Sequence, residues 1–595
     1  MERHEDEDSR ILNSNFDLDH VGEVSLTLNS DELSWIKVDS FNKNNDTGSS
    51  CLGKQLVSRR STTIKFSDAY AVEFIDWGVI HEPVLGNAPG RLLGRASEMF
   101  RFTVHCFRRS KTQPSLWKTS IYTFGHKDLG TCHLWVTRIN FSLNMEVGRP
   151  KSLLVFVHPR SGKGNGCRIW DEVAPIFRLA QVRTKVLVTH RAGQALDAMS
   201  AISNRVLNSY DGVLAVGGDG FFNEILNGLL LSRHKATYPP SPTEFSHSVN
   251  KDDNNLVYLK ETHVGTSEQN EGSSHLLSIP ETIKSQTKNH RPEDDICNSA
   301  DQEGNFHFPN ERFRFGLIPA GSTDAIVMCT TGARDPTTSA LHIVLGKRIS
   351  LDIAQIVRWK ATFTSKEEIS VRYAASFAGY GFYGDVITES EKYRWMGPKR
   401  YDYAGTKVFL KHSAYEAEVT YVEDIIDDNI SAGSRTKPFL GPPKKSERVA
   451  CRVKCGVCNT KPVQISAEPN LHESKWLRSR GKFLSVGAAV IACRNEKAPD
   501  GLVADAHLSD GFLHLILIKD CPRALYLWHL TQLARKGGHP LKFDFVEHHK
   551  TRAFTFRSIG KESVWNVDGE LFSAHQLSAQ VFRGLVSLFA AGPEV

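Results

Sequence analysis

The sequence predicts an α/β unit joined to all-β parts, and three observations carry that expectation. Apolar runs that end in glycine-rich turns and pass straight into amphipathic stretches recur between residues 150 and 330. Short β-like segments fill the chain before them, and strands predominate again after them. At 595 residues the chain is long enough for two to four domains, each with its own core.

Taken in order, residues 1–29 are polar and begin MERHEDEDSR, and they are expected to be disordered. Residues 30–146 read as an all-β unit with strands at Ser34–Val38, Thr62–Phe66, Ala71–Ile75, Arg101–Phe107 and Trp117–Phe124. A helix closes it, with Leu134, Trp135, Ile139 and Leu143 on one face and His133, Thr137 and Arg138 outside it. The unit spanning 149–355 opens with the buried-strand run Ser152–Val157, and residues 235–310 form a polar insertion in it. That insertion is rich in Ser, Asn, Asp, Glu and Lys and is expected to be disordered, because it cannot bury enough apolar surface to offset its ordering entropy. From 356 to 595 a β-rich lobe is expected, with strands at Ile369–Phe377, Val408–Leu410, Glu418–Val422, Phe483–Ile491, Phe512–Ile518 and Arg552–Phe556. Between the last two, the stretch from Asp520 to Lys536 reads as a helix with start and stop signals. Such a basic aromatic helix suits calmodulin, though the same stripe more often packs on its own core.

Composition excludes several classes. The net charge of +6 is mild and spread along the chain, which argues against a dedicated nucleic-acid binder and is compatible with anionic membrane surfaces. No apolar run approaches the length of a bilayer span, and the acidic start lacks the features of a signal peptide, so a cytoplasmic protein is expected. Its 11 cysteines are then mostly thiols.

The glycine turns carry the chemistry. After the strand run 212–216 come Gly217, Gly218, Asp219 and Gly220, leading into a helix with Phe222, Ile225, Leu226 and Leu229 on one face. Glycines there let the chain turn tightly and bare its N–H groups, and the helix N-terminus adds partial positive charge, which suits a phosphate. Asp219 would repel that phosphate unless it binds Mg²⁺ or takes a proton from an attacking hydroxyl, and both belong to phosphoryl transfer. A second turn, His158, Pro159, Arg160, Ser161 and Gly162 followed by Lys163, is not a Walker A loop, since no Ser or Thr follows the lysine. A third runs from Phe315 to Asp324 and contains Gly321, Ser322 and Thr323. Turns at the carboxyl ends of neighbouring parallel strands line one crevice.

The ordered set HPRSGKG, GGDGFFNE, IPAGSTD, GYGFYGD and Val567-Asp568-Gly569-Glu570 resembles the lipid kinase family that includes diacylglycerol, sphingosine and ceramide kinases, over about residues 150–590. The resemblance implies a pleckstrin-homology domain over 30–146, then a two-lobed kinase with a three-layer α/β nucleotide lobe and a β-sandwich lobe. Cys451, Cys455 and Cys458 resemble the cysteine cluster of the ceramide-phosphorylating members. Their spacing also suits a zinc site lacking a fourth ligand, for which Cys493, His472 or water are candidates, or a set of redox-sensitive free thiols. Two positions depart from the family pattern, His158 where members usually carry Asn and Phe221 where many carry Thr.

By this resemblance Asp219 is the base and Glu570 its rival. ATP would be held by His158, Pro159, Arg160, Ser161 and Gly162, by Thr189, His190, Arg191, Ala192 and Gly193, and by Glu224, Gly321, Ser322 and Thr323. Arg394 and Arg400 match positions that grip triphosphate oxygens, and Asp568, Gly569 and Glu570 match a nucleotide-binding motif whose acids lie near ATP and Mg²⁺, with Asp568 the metal ligand and Ca²⁺ the alternative ion. Gly217, Gly218, Asp219, Gly220 and Asp385 would meet the lipid head group. A peripheral enzyme is implied, docking to membrane lipids through Arg108, Arg109, Lys111 and Lys118. The expected reaction is ATP-dependent phosphorylation of the primary hydroxyl of ceramide. A sphingoid base or diacylglycerol is the alternative acceptor, and a catalytically weak lipid-binding scaffold is the reading from another class.

Overall fold

The computed structural model describes residues 11–38, 62–81, 96–162, 164–247, 256–259, 310, 312–423, 471 and 474–593. Its first unit is a seven-stranded antiparallel sheet ordered Thr62–Lys65, Glu32–Lys37, Gly22–Leu28, Leu12–Leu18, Trp117–His126, Ala96–Arg109 and Ala69–His81. The sheet therefore starts well inside the segment expected to be disordered. Leu12–Leu18 and Gly22–Leu28 alternate polar and apolar residues, and Phe16, Leu18, Val24, Leu26 and Leu28 all point into the core. The closing helix, Leu129–Met145, is capped by Asp128, whose carboxylate accepts the Thr131 N–H at 2.7 Å. It buries Cys132, Trp135, Ile139 and Leu143, while Leu134 faces solvent, so Cys132 takes the place expected for Leu134.

This unit is docked on the next. Trp117 stacks on Phe107 with centroids 3.8 Å apart, meets the edge of His342 at 4.0 Å, and shares one apolar cluster with Trp170, Phe177 and Leu341. Hydrogen bonds cross the seam from Trp117 N–H to Thr338 Oγ1 and from Ser115 Oγ to the Gly332 carbonyl.

The second unit is a parallel sheet with helices on both faces. Its strands run Arg183–Val188, Ser152–Val157, Gly212–Gly217 and Arg314–Pro319 in spatial order. Alternate residues sort to the two sides. Leu153, Val155 and Val157 pack with helices Gly166–Leu179 and Pro336–Val344, and Leu154 and Phe156 with helices Gln194–Ala201 and Asp219–Arg233. Three layers result, with the glycine turns at the carboxyl edge.

The rest is β-rich, and one strand ties it to the parallel sheet. Gln576–Leu588 pairs antiparallel with Ile349–Lys360 and Ala553–Ile559, and near its end pairs parallel with Arg314 and Phe315. The boundary expected at 355 thus cuts through a paired strand, and the end of Gln576–Leu588 belongs to both lobes. Two further expectations are overturned. Val408–Leu410 lies in helix Arg400–Lys411, which buries Ala404 and Val408 at i, i+4 spacing. Within 235–310, Phe245–His247 pairs with Leu256–Leu259, which pairs in turn with Trp476 and Leu477, and Phe245 packs against the Trp476 ring. Gln580 and Ser578 also hydrogen-bond the carbonyls of Thr237 and Pro240. The start of the insertion is therefore built into the β-rich lobe. Residues 260–309 lie outside the described residues.

Candidate active site

Strand Gly212–Gly217 is buried along its whole length, and helix Asp219–Arg233 begins directly after it with Gly218 as N-cap. Strand Arg314–Pro319 lies beside it, so its turn meets the first one backbone to backbone. A Cβ on Gly321 would stand 2.5 Å from the Gly218 Cα, and one on Gly162 would stand 2.7 Å from the Ala320 carbonyl oxygen. Only glycine permits that approach. The turns form one wall of a cavity of about 570 Å³, and the β-rich lobe forms the other with Ser376, Phe377, Cys493, Asn566, Asp568 and Gly569.

Asp219 lines this cavity with both oxygens held. Ala325 N–H donates to Oδ2 at 2.8 Å and Ile326 N–H to Oδ1 at 2.9 Å, from the start of helix Ala325–Thr331. Each oxygen keeps acceptor capacity to spare. Burial pushes the Asp219 carboxyl up to about 7, against the two amides that favour its charge, and the nearby Asp324 and Asp568 carboxylates push the same way. Asp568 lies across the cavity with four donors on its carboxylate. Its Oδ1 accepts from Ser376 N–H, Ser376 Oγ and Phe377 N–H, and its Oδ2 from Ala375 N–H. Burial raises its pKa as well.

Of the residues expected from sequence, His158, Ser161, Gly162, Gly218, Gly220, Gly321, Ser322, Thr323 and Gly569 line the same cavity. The two departures from the family pattern touch each other. The His158 and Phe221 rings meet edge to face at 5.1 Å, Ser161 Oγ lies 3.1 Å from His158 Nδ1, and burial lowers the His158 pKa. Other side chains turn away. Glu224 accepts the Ala195 N–H at 2.9 Å and so caps helix Gln194–Ala201, whose entry loop is Thr189–Gly193. Within that loop Gln194 Oε1 accepts the His190 N–H and Arg191 pairs with Asp197. Asp385 accepts from the hydroxyls of Tyr415 at 2.5 Å and Ser563 at 2.6 Å. Arg394 and Arg400 both pair with Glu391, and Glu570 pairs with Arg372. None of these five lines the cavity. Cys451, Cys455, Cys458 and His472 lie outside the described residues, whereas Cys493 is buried at the cavity wall and donates to the Ser376 carbonyl at 3.4 Å.

Sequence reasoning missed Asp324, at a left-handed φ of 51° at the helix start, where it accepts from Gly321 N–H and from Arg334 Nε at 2.8 Å. It stands inside IPAGSTD, so its motif was visible but its role was not. Tyr383 stands inside GYGFYGD and Leu533 in the helical stretch that ends at Lys536, where neither was assigned to the site, while Ile387 and Tyr401 carried no signal; all four close the cavity on the β-rich side.

The donors fit a hard divalent cation. Asp568 lines the cavity and its Oδ2, which accepts a single N–H, keeps acceptor capacity for such an ion, which is held by one or two carboxylates together with substrate phosphates. The grouping of three ligand atoms found among the described residues is elsewhere, at Asp19, His20 and His81 on the surface of the first sheet.

Two family models match the sequence, the diacylglycerol kinase catalytic domain over residues 152–241 and the ceramide kinase C-terminal domain over residues 376–564. The chain is 55% identical to a ceramide kinase of Arabidopsis thaliana, over 98% of this chain and 96% of that protein. It is 50% identical to a ceramide kinase of Oryza sativa subsp. japonica, over 97% and 98% of the two, and 30% identical to one of Homo sapiens, over 89% of each.

Proposed function

This chain belongs to the ceramide kinase family, and on that premise we propose how its crevice divides the work of phosphoryl transfer. The protein is an ATP-dependent lipid kinase that moves the γ-phosphoryl group to the primary hydroxyl of ceramide. The observation that carries the mechanism is the Asp219 carboxylate, fixed at the cavity wall by two helix amides with its pKa near 7. At neutral pH a carboxylate so tuned accepts a proton far better than an ordinary one, so Asp219 takes the proton of the acceptor hydroxyl as the oxygen attacks phosphorus. The amides and hydroxyls of Gly162, Gly218, Gly321, Ser322 and Thr323 hold the phosphates. Asp568 would hold the divalent ion through Oδ2, which accepts a single N–H, Mg²⁺ in our reading, and that ion when bound would neutralise phosphate charge.

Glu570 is the weaker candidate for the base because its partner is Arg372 and it stands outside the cavity wall. Glu224 positions the loop Thr189–Gly193, which supports a nucleotide role for that loop, through helix Gln194–Ala201. The first sheet and its closing helix support a pleckstrin-homology reading. Arg108 and Lys118 face each other across strands Ala96–Arg109 and Trp117–His126 there, and would meet lipid head groups. No helix among the described residues is long and apolar enough to cross a membrane, and peripheral attachment is the mode we infer. The assignment is tested by phosphotransfer from labelled ATP to ceramide, sphingosine and diacylglycerol in mixed micelles. Ceramide is expected to dominate, and predominant labelling of either competitor overturns the acceptor.

A further inference from the structure

Helix Arg523–Ala534 does not have the two-sided character of an ordinary surface helix. It buries Tyr526 and His529 but leaves Leu525, Leu527 and Trp528 exposed, Trp528 at 55%. It contains no acidic residue, begins with Arg523 and is followed by Arg535 and Lys536. Beside it runs helix Arg400–Lys411. The Phe409 and Tyr526 rings stack at 6.1 Å, and His412 Nε2 donates to the Cys521 carbonyl at 2.8 Å. At their opposite ends Tyr401 and Leu533 both line the catalytic cavity. The two helices thus lead from the cavity outward, and apolar surface is exposed at both ends of the pair. Leu410, at the outer end, is 61% exposed, and Trp395, in the turn that leads into helix Arg400–Lys411 at its cavity end, is 82% exposed. Lys399 and Lys411 flank this surface.

We propose that this helix pair, with Trp395, is an interfacial docking face that sets the cavity mouth against an anionic lipid bilayer. The proposal rests on ceramide being the acceptor. A cavity of about 570 Å³ is the size of a site for one small ligand. It cannot take a nucleotide together with two long hydrocarbon chains, which must stay in apolar surroundings while the hydroxyl reaches Asp219. Tryptophan and leucine at the mouth meet the acyl boundary, and the basic residues meet anionic head groups, which is the composition of a helix lying in a bilayer interface. Wrapping by a calmodulin-like partner is disfavoured because it would strip the helix from Tyr526 and His529, which are core residues.

The test uses the full chain, sedimented with phosphatidylcholine vesicles with and without about one-third phosphatidylserine. The double variant Leu525→Ser/Trp528→Ser and the single variant Trp395→Ser are each compared with wild type. Each is expected to lose about tenfold or more in partitioning to the anionic vesicles, and a similar factor in turnover of ceramide embedded in them. Turnover of a short-chain ceramide dispersed as monomer should not change. Folded variants that sediment like wild type overturn the proposal. Should the serine variants fail to fold, Trp395→Phe and Trp528→Phe decide the matter in vesicles of brominated lipid, since each should remove part of the quenched fluorescence and an unchanged quench overturns the docking face. Wild type that binds vesicles yet phosphorylates neither ceramide refutes the acceptor and leaves the docking result standing.

Discussion

Asp219 and Asp568 face one cavity from opposite lobes and use one device, a buried carboxylate held by backbone amides, yet to different degrees. Asp219 accepts two N–H groups from a helix start, one on each oxygen. Asp568 accepts three N–H groups and a hydroxyl, three of these four on Oδ1. A carboxylate offers about four acceptor sites, so Asp219 keeps capacity on both oxygens while Asp568 keeps it on Oδ2 alone. An acid in a catalytic motif can thus serve mainly to react or mainly to hold a turn in place, and the count of its occupied lone pairs separates the two.

Replacing the reactive acid should have the largest effect. Asp219→Asn keeps the shape but removes the charge, and turnover should fall by about 10²-fold or more in a protein that still folds. Near-wild-type phosphotransfer in the folded variant would end the distinction drawn above. The holding acid should respond differently. Asp568→Asn cannot accept all four donors, and thermal or urea unfolding should show a loss of about 1–3 kcal/mol. An unchanged melting temperature would show that the turn does not need it.

The pH dependence sharpens the contrast further. With Asp219 at about 7 in the folded chain, kcat/KM should rise with pH through about 7 and lose that limb in Asp219→Asn. Its folded pKa lies above the unfolded value, so between about 4 and 7 the folded chain binds more protons. Stability therefore falls as pH rises through that window, and the Asn variant should show a flatter profile in melts from pH 5 to 8.

A smaller effect is expected beside Asp219. Phe221→Thr and His158→Asn should each cost stability, and the double-mutant cycle should return a coupling of about 0.5–1.5 kcal/mol because the rings touch. A coupling of zero would mean that the two departures from the family pattern are independent. The smallest effect falls to Glu570→Gln, which removes an ion pair with Arg372 outside the cavity wall and should change turnover by less than about tenfold. A loss as deep as that of Asp219→Asn would move the base role to Glu570.

The sequence disclosed the parallel sheet well, because Ser152–Val157, Gly212–Gly217 and Arg314–Pro319 are buried on both faces and end in glycine turns. It also identified the glycine-turn wall of the cavity, with Asp568 and Gly569 opposite, though those residues lie hundreds of positions apart, and it left most of the β-rich wall unread. What it could not supply was side-chain direction. Glu224, Asp385, Arg394, Arg400 and Glu570 stand in motifs, yet each is turned aside by a partner that no motif names, such as the Ala195 amide or Glu391. Short windows misled too. Val408–Leu410 is β-like over three residues, while the i, i+4 pair Ala404 and Val408 shows the helix only in a longer window. In Leu12–Leu18 the alternating pattern was present, but the acidic start of the chain outweighed it.

Among the described residues strand Gln576–Leu588 follows every other strand in the sequence, and it completes the pairing of both lobes. During synthesis, Arg314–Pro319 and Ile349–Lys360 must therefore wait on the ribosome with bare edges until more than two hundred further residues have emerged. Neither lobe can finish folding alone as the chain appears. A nascent chain stalled before Gln576 would expose two unpaired edges at once, the kind of surface on which chains aggregate.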